Sequence, residues 1–169
     1  KKNLIKSYIN DKIEKINLHY IEEKKVLGSA GSIAFLKKKI HTDFFLINCD
    51  TLANVNLEKT YNFHKKKKND LTIIVAKKKF SIPYGSCVIN KSGKFEKIIE
   101  KKNYSELINI GMYIFSSKIF SKIKINSKID MDQLIKRLKK YKMQIGVYPI
   151  SENSWVDTGT LENIKLKKF

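Results

Sequence analysis

The stretch Phe44-Phe45-Leu46-Ile47 is apolar at four consecutive positions and runs straight into Asn48-Cys49-Asp50. A strand with one wet face alternates apolar and polar residues, whereas an unbroken apolar strand is covered on both faces, as in sheets held between layers of helices. Leu71 to Ala76 repeats the pattern, and a helix capped by Asn56 and running to about Lys66 fills the interval between the two strands. Strand, helix, strand in that order predicts crossover connections and an α/β fold: a Rossmann-like mixed, mainly parallel sheet with helices on both faces, an α/β/α sandwich.

The rest of the chain fits around that centre. Leu4, Ile5, Tyr8 and Ile9 share a helical face, predicting a helix over 2–12, and 15–21 alternates as a strand. Ser32 to Lys39 reads as a buried helix. Strands follow near 86–90, 94–100 and 108–115, with a hairpin-type turn at Ser92-Gly93. Helices near 116–122 and 131–141 and a strand at 145–149 precede Trp155-Val156-Asp157-Thr158-Gly159-Thr160. No linker or repeat interrupts the 169 residues, which read as one domain. A doubly wound domain normally opens with a strand, so a helix at the front points to a missing upstream segment.

Charge is the loudest compositional signal, at +19, but it comes from 34 lysines and a single arginine, Arg137. Base-edge readout favours the bidentate guanidinium, and the lysine runs fall at the ends of elements, so a solvated surface fits better than a nucleic-acid interface. The charge does favour attraction of small anions. No apolar run approaches the roughly 18–20 residues of a membrane-spanning helix, and Lys1-Lys2-Asn3 does not lead into a signal core; the expected setting is the cytoplasm, without membrane partners. Cys49 and Cys87 have neither metal-ligand nor CxxC spacing and are expected to be buried thiols.

In an open α/β sheet, ligands bind beyond the carboxyl ends of the parallel strands. Asp50 ends such a strand, and Asp157 lies between an aromatic residue and a Thr-Gly-Thr turn. Two carboxylates meeting at one strand edge would suit magnesium, which takes few protein ligands and completes its shell with phosphate oxygens and water. Gly28-Ser29-Ala30-Gly31 precedes a helix, where backbone N–H groups can approach an anion.

These residues belong to an ordered series: Val26-Leu27-Gly28-Ser29-Ala30-Gly31-Ser32-Ile33, Phe45-Leu46-Ile47-Asn48-Cys49-Asp50, Ile82-Pro83-Tyr84-Gly85, Glu100-Lys101, Ile108 to Phe115, and Trp155 to Thr160. The series resembles the sugar-1-phosphate nucleotidyltransferases, the nucleoside-diphosphate-sugar pyrophosphorylases, over nearly the whole chain. The resemblance implies a Rossmann-like catalytic domain and transfer of a nucleotidyl group from a nucleoside triphosphate to a sugar-1-phosphate, with pyrophosphate released. It implies Mg2+ on Asp50 and Asp157, Lys101 as a cation near the sugar phosphate, and nucleotide contacts from Gly28, Ser29 and Asp50. It further implies sugar contacts from Tyr84, Gly85, Glu100 and Asn109, with Trp155 beside them.

Glu22 and Glu23 lie in the segment that runs past the base in this family. A carboxylate accepts from the two donors of guanine, so Glu23 joins the nucleotide set and GTP is weakly favoured. The family's GxGTRL loop is absent and would precede Lys1, which implies a chain lacking the first strand and the triphosphate loop and unable to turn over alone. The alternative is an inactive sugar-nucleotide-binding or regulatory module of the same fold; homo-oligomerisation is open.

Overall fold

The computed structural model describes residues 1–12 and 16–157, with Asp157 described by its backbone alone. Its elements, in chain order, are α1 (Lys2–Lys12), β1 (Phe44–Ile47), β2 (Thr51–Ala53), α2 (Leu57–Lys66), β3 (Leu71–Ser81), β4 (Ser86–Ile89), β5 (Phe95–Ile99), β6 (Asn103–Phe115), α3 (Met131–Lys140), β7 (Ile145–Ser151) and β8 (Trp155–Asp157). Two longer 3-10 segments, Gly31–Lys38 and Ser117–Lys122, stand where the sequence predicts helices.

The central sheet has the strand order β1-β6-β3-β7. Side chains alternate across it as a pleat requires. Phe44, Leu46, Leu71, Ile73, Tyr113 and Phe115 face a core completed by Ile33 and Ala34, Ile119 and Phe120, and Leu134 and Leu138 of α3. Phe45, Ile74, Ala76, Met112 and Ile114 face the other way, against Val55, Tyr61 of α2, Tyr148, Ile150 and Trp155. Helical segments thus cover both faces, as the unbroken apolar strands require.

The sheet is mixed, but its parallel share is smaller than the sequence reading expects. Among the described pairings only β3–β7 is parallel, because β6 inserts antiparallel between β1 and β3. The alternating segment at 15–21 is irregular over its described residues, with Ile16 at 64% exposure; alternation makes a strand only where a neighbour supplies the other half of the ladder. Helix α1 forms as expected but buries nothing: Leu4, Ile5 and Tyr8 are exposed, and it is tied to the following segment by polar contacts of Lys2 and Lys6 with Glu22 and of Tyr20 with Asn10. The cysteines depart from expectation too. Cys49 and Cys87 are both exposed, since one lies in the turn after β1 and the other on an uncovered side of the β4–β5 hairpin.

Beyond the core and the last β7 pairing, Lys77 with Ser151, β3 and β6 continue as a two-stranded arm in which Lys78 to Ser81 pair with Glu106 to Asn103. The arm carries the β4–β5 hairpin, whose strands pair only with each other among the described residues.

Candidate functional site

The turn that carries Asp50 is held by a fault in a neighbouring strand. Along β6 the pairing with β3 slips: Ile74 lies opposite Met112, but Val75 lies opposite Asn109, leaving Ile110 and Gly111 bulged out. The freed carbonyls serve the turn. Asn48 N–H donates to Gly111 O at 2.9 Å, and the Thr51 hydroxyl donates to Ile110 O at 2.8 Å. Gly111 has φ +75°, and a Cβ there would lie 2.5 Å from Asn48 Nδ2, so glycine alone allows this approach. Asp50 is presented, exposed, between these two anchors.

The same turn leads into β2, which pairs antiparallel with β8. Thr51 lies opposite Asp157 and Ala53 opposite Trp155. The backbone of Asp157 is therefore one residue away from that of Asp50 in register. Trp155 is half-buried against the core, with the Lys78 ammonium 5.9 Å from its ring centroid. Asn109, the residue before the bulge, spends its amide on the bulge itself. Its Oδ1 accepts from Gly111 N–H at 3.1 Å and its Nδ2 donates to the Tyr113 hydroxyl at 2.7 Å. Burial pushes the Tyr113 phenol up, partly offset by that bond.

The small-residue segment forms a second group. Gly28 has φ +76°, and a Cβ would meet Ile129 O and Asp130 Oδ1. Ser29 N–H donates to Asp130 Oδ1 at 3.0 Å, and Ser29 Oγ accepts from Met131 N–H at 2.9 Å. The segment is thus pinned to the start of α3. Upstream, Glu23 Oε2 accepts from Leu27 N–H at 3.2 Å. Glu22 sits between Lys2 and Lys6, whose hydrogen bonds and charge hold its carboxyl down at about 2. Glu22 also lines a cavity of about 410 Å3 with Lys24, Lys25, Leu27, Phe35 and Asn126. Of the two glutamates, Glu22 and not Glu23 lines this wall.

The third group rides on the arm. Tyr84 is 75% exposed, and Gly85 is overlaid by Glu100 and Ile98, whose side chains would lie 2.7 and 2.8 Å from a Cβ at that position. Lys101 follows in a left-handed turn with φ +47°. The contacts therefore bind the expected residues into three sets: Asp50, Asn109, Trp155 and Asp157; Glu23, Gly28 and Ser29; and Tyr84, Gly85, Glu100 and Lys101. Sequence reasoning missed Asn48, Thr51, Gly111 and Asp130, which hold these sets in place. Only Gly111 carried a readable signal, a glycine inside an otherwise apolar strand.

A nucleotidyl transferase family model matches residues 1–166. The chain belongs to the nucleotidyl transferase family. It is 32% identical over 163 residues to D-glycero-alpha-D-manno-heptose 1-phosphate guanylyltransferase of Aneurinibacillus thermoaerophilus, an alignment covering 94% of this chain and 69% of that protein. It is 30% identical over 135 residues to mannose-1-phosphate guanylyltransferase catalytic subunit beta of Xenopus tropicalis, covering 70% of this chain but only 38% of that relative's length. Among solved structures, HddC from Yersinia pseudotuberculosis superposes with a TM-score of 0.67 at 25% identity, covering 96% of this chain and 71% of that one. These likenesses agree with the α/β Rossmann-like fold. Among the described residues no helix is long and apolar enough to cross a membrane.

Proposed function

We propose that this nucleotidyl transferase acts on a sugar-1-phosphate, taking a guanylyl group from GTP and releasing pyrophosphate. The observation that carries the reading is the junction of β2 with β8, which brings the backbones of Asp50 and Asp157 to one end of the sheet beside the β6 bulge. The relatives aligned over most of this chain's described length are guanylyltransferases of heptose and mannose 1-phosphates, which supports guanine and a manno-configured sugar phosphate as the substrate class.

The reaction joins a phosphate oxygen of the sugar to the α-phosphorus of GTP as the bond to pyrophosphate breaks, so the enzyme has mainly to position the reactants and offset charge. Hard carboxylate oxygens suit Mg2+, and Asp50, on an exposed braced turn, fits as one of its ligands with Asp157 as the second. Magnesium would neutralise phosphate charge there. A cluster of three acidic, His or Cys side chains, none of which forms among the described residues, is not needed for such a site. Lys101 supplies a cation on the arm, and Glu100 with Tyr84 and Gly85 supplies the polar surface for sugar hydroxyls.

For the base, Glu22 joins Glu23 as a candidate acceptor. It lines the cavity beside Leu27, and its carboxylate stays ionised to receive the N1–H and N2–H2 donors of guanine. Glu23, also exposed, accepts from the Leu27 N–H through Oε2. We read residues 1–169 as belonging to one catalytic domain that works on soluble substrates in the cytoplasm.

Trp155 is the single tryptophan, so its fluorescence reports binding directly. Titration with GDP-mannose and Mg2+ should change it saturably, and the full-length protein, given GTP with mannose or heptose 1-phosphate, should yield pyrophosphate. Binding without release would favour the inactive-module reading. Neither binding nor release would sink both.

A further inference from the structure

At the end of the sheet opposite Asp50, where β1 and β3 begin, a cavity of about 360 Å3 is lined by Asp43, His64, Lys65, Lys68, Ser116 and Lys118, among others. The His64 side chain is 1% exposed. Its hydrogen bonds fix the tautomer. Asn69 Nδ2 donates to Thr72 Oγ1 at 2.9 Å, so the hydroxyl proton of Thr72 is directed at His64 Nδ1, 2.8 Å away. Nδ1 accepts, and the neutral ring carries its proton on Nε2.

That Nε2–H is buried and has no hydrogen-bond partner. Asp43 Oδ2 lies 3.7 Å from it, beyond hydrogen-bond range, and already accepts from Lys65 Nζ at 3.0 Å. The other side chains on the wall add positive charge. Lys118 is 3.6 Å from Asp70 Oδ1, a loose pairing, and Lys68 has no carboxylate partner among the described residues. A buried donor with no acceptor, surrounded by more ammonium than carboxylate, is satisfied by an anionic acceptor.

We propose that this cavity binds a small oxyanion of the phosphate class, with the His64 Nε2–H as the buried donor and Lys65, Lys68 and Lys118 as its counter-charges. It stands apart from the nucleotide and sugar sets, on the far edge of the sheet, and does not depend on the function proposed above. Asp43 is the discriminating residue. For an anion its carboxylate is an opponent that also occupies Lys65; for a cation it would be the principal ligand.

The test is an NMR titration of the whole chain with inorganic phosphate at pH 7.5, following the ring nitrogens of the three histidines, with a second arm using phenyl phosphate as a monoester. The His64 Nε2 resonance should move saturably while His19 and His41 stay unchanged; tighter binding in the monoester arm would assign the site to an organic phosphate. The double variant Lys68→Ala/Lys118→Ala should weaken binding about tenfold, whereas Lys139→Ala/Lys140→Ala, equal in charge and remote on α3, should change it by less than about twofold. Asp43→Asn should tighten it. A non-saturating shift, equal losses in the two double variants, or weaker binding in Asp43→Asn would each overturn the proposal.

Discussion

Ser29 is joined to the start of α3 in both directions: the Asp130 carboxylate receives the Ser29 N–H, and the Ser29 hydroxyl receives the N–H of Met131, the first residue of α3. A side chain from a distant segment thus joins the local capping box of Asp130 and Gln133 at the start of the helix. Ser29→Ala should cost about 1 kcal/mol of stability, the usual loss for a helix cap, while Ser29→Thr should retain most of it. Urea unfolding measures the loss, and affinity for GDP-mannose separates the two roles. A variant that keeps its stability and loses nucleotide affinity would show that Ser29 serves the ligand and not the helix.

Asp50 is expected to matter for catalysis, because it is exposed on a turn held by the backbone of Asn48 and the hydroxyl of Thr51. Asp50→Asn should lower pyrophosphate release by the full-length protein by about 100-fold or more. Chelation of divalent cations should abolish release in the unmutated protein, and added magnesium should restore it.

Helices α2 and α3 end alike, each with a lysine in the left-handed conformation at the position where glycine is favoured: Lys68 at φ 52° and Lys142 at φ 55°. The closing bonds are Asn69 N–H to His64 O and Met143 N–H to Leu138 O. Lys68→Gly and Lys142→Gly should each stabilise the fold by about 1 kcal/mol, since a side chain in this region costs roughly that much. Equal or lower stability by chemical denaturation would contradict the strain.

Burial drives the His64 pKa below its ordinary value, with Asp43 pulling the other way. The unfolded chain therefore takes up a proton near pH 6.5 that the folded chain resists. Stability from His64 is complete above that pH and declines as pH falls toward the folded pKa. The extra loss, up to about 1.4 kcal/mol per pH unit, should show between pH 7 and 5.5 and should flatten in His64→Gln.

Thr72→Val keeps the shape and deletes the hydroxyl that joins Asn69 to His64, leaving a buried amide and a buried imidazole nitrogen unmet. The expected cost is about 1–3 kcal/mol. A loss within a few tenths of a kcal/mol would mean that the two groups find other partners.

The architecture was legible where periodicity and burial agree. Phe44 to Ile47 and Leu71 to Ala76 announced a sheet covered on both sides, and Asn56 marked the start of α2, where its side chain accepts from Lys59 N–H. Direction was not legible, since a buried antiparallel strand such as the core half of β6 is as uniformly apolar as a parallel one. Nor was the failure of 15–21 as a strand, because a sequence shows the alternation of one strand and not the existence of its neighbour. Among candidate residues, motif order named the chemistry-bearing side chains, but the partners of Ser29 and Asn109 come from the folded chain alone.

The β3–β6 arm has a mechanical consequence. Tyr84, Gly85, Glu100 and Lys101 hang on a ribbon whose roots at Ala76 and Ile108 leave the packed core, whereas Asp50 and the Asn109 bulge are fastened to the core sheet. Amide hydrogens of Lys78, Phe80 and Ser81 and of Asn103 to Glu106 should exchange with solvent well before those of Leu71 to Val75, with the protection boundary near the last β7 pairing at Lys77. The groups proposed for the sugar would then tilt as one body relative to the turn proposed for the phosphates, and the bending of a single ribbon would set the separation of the two.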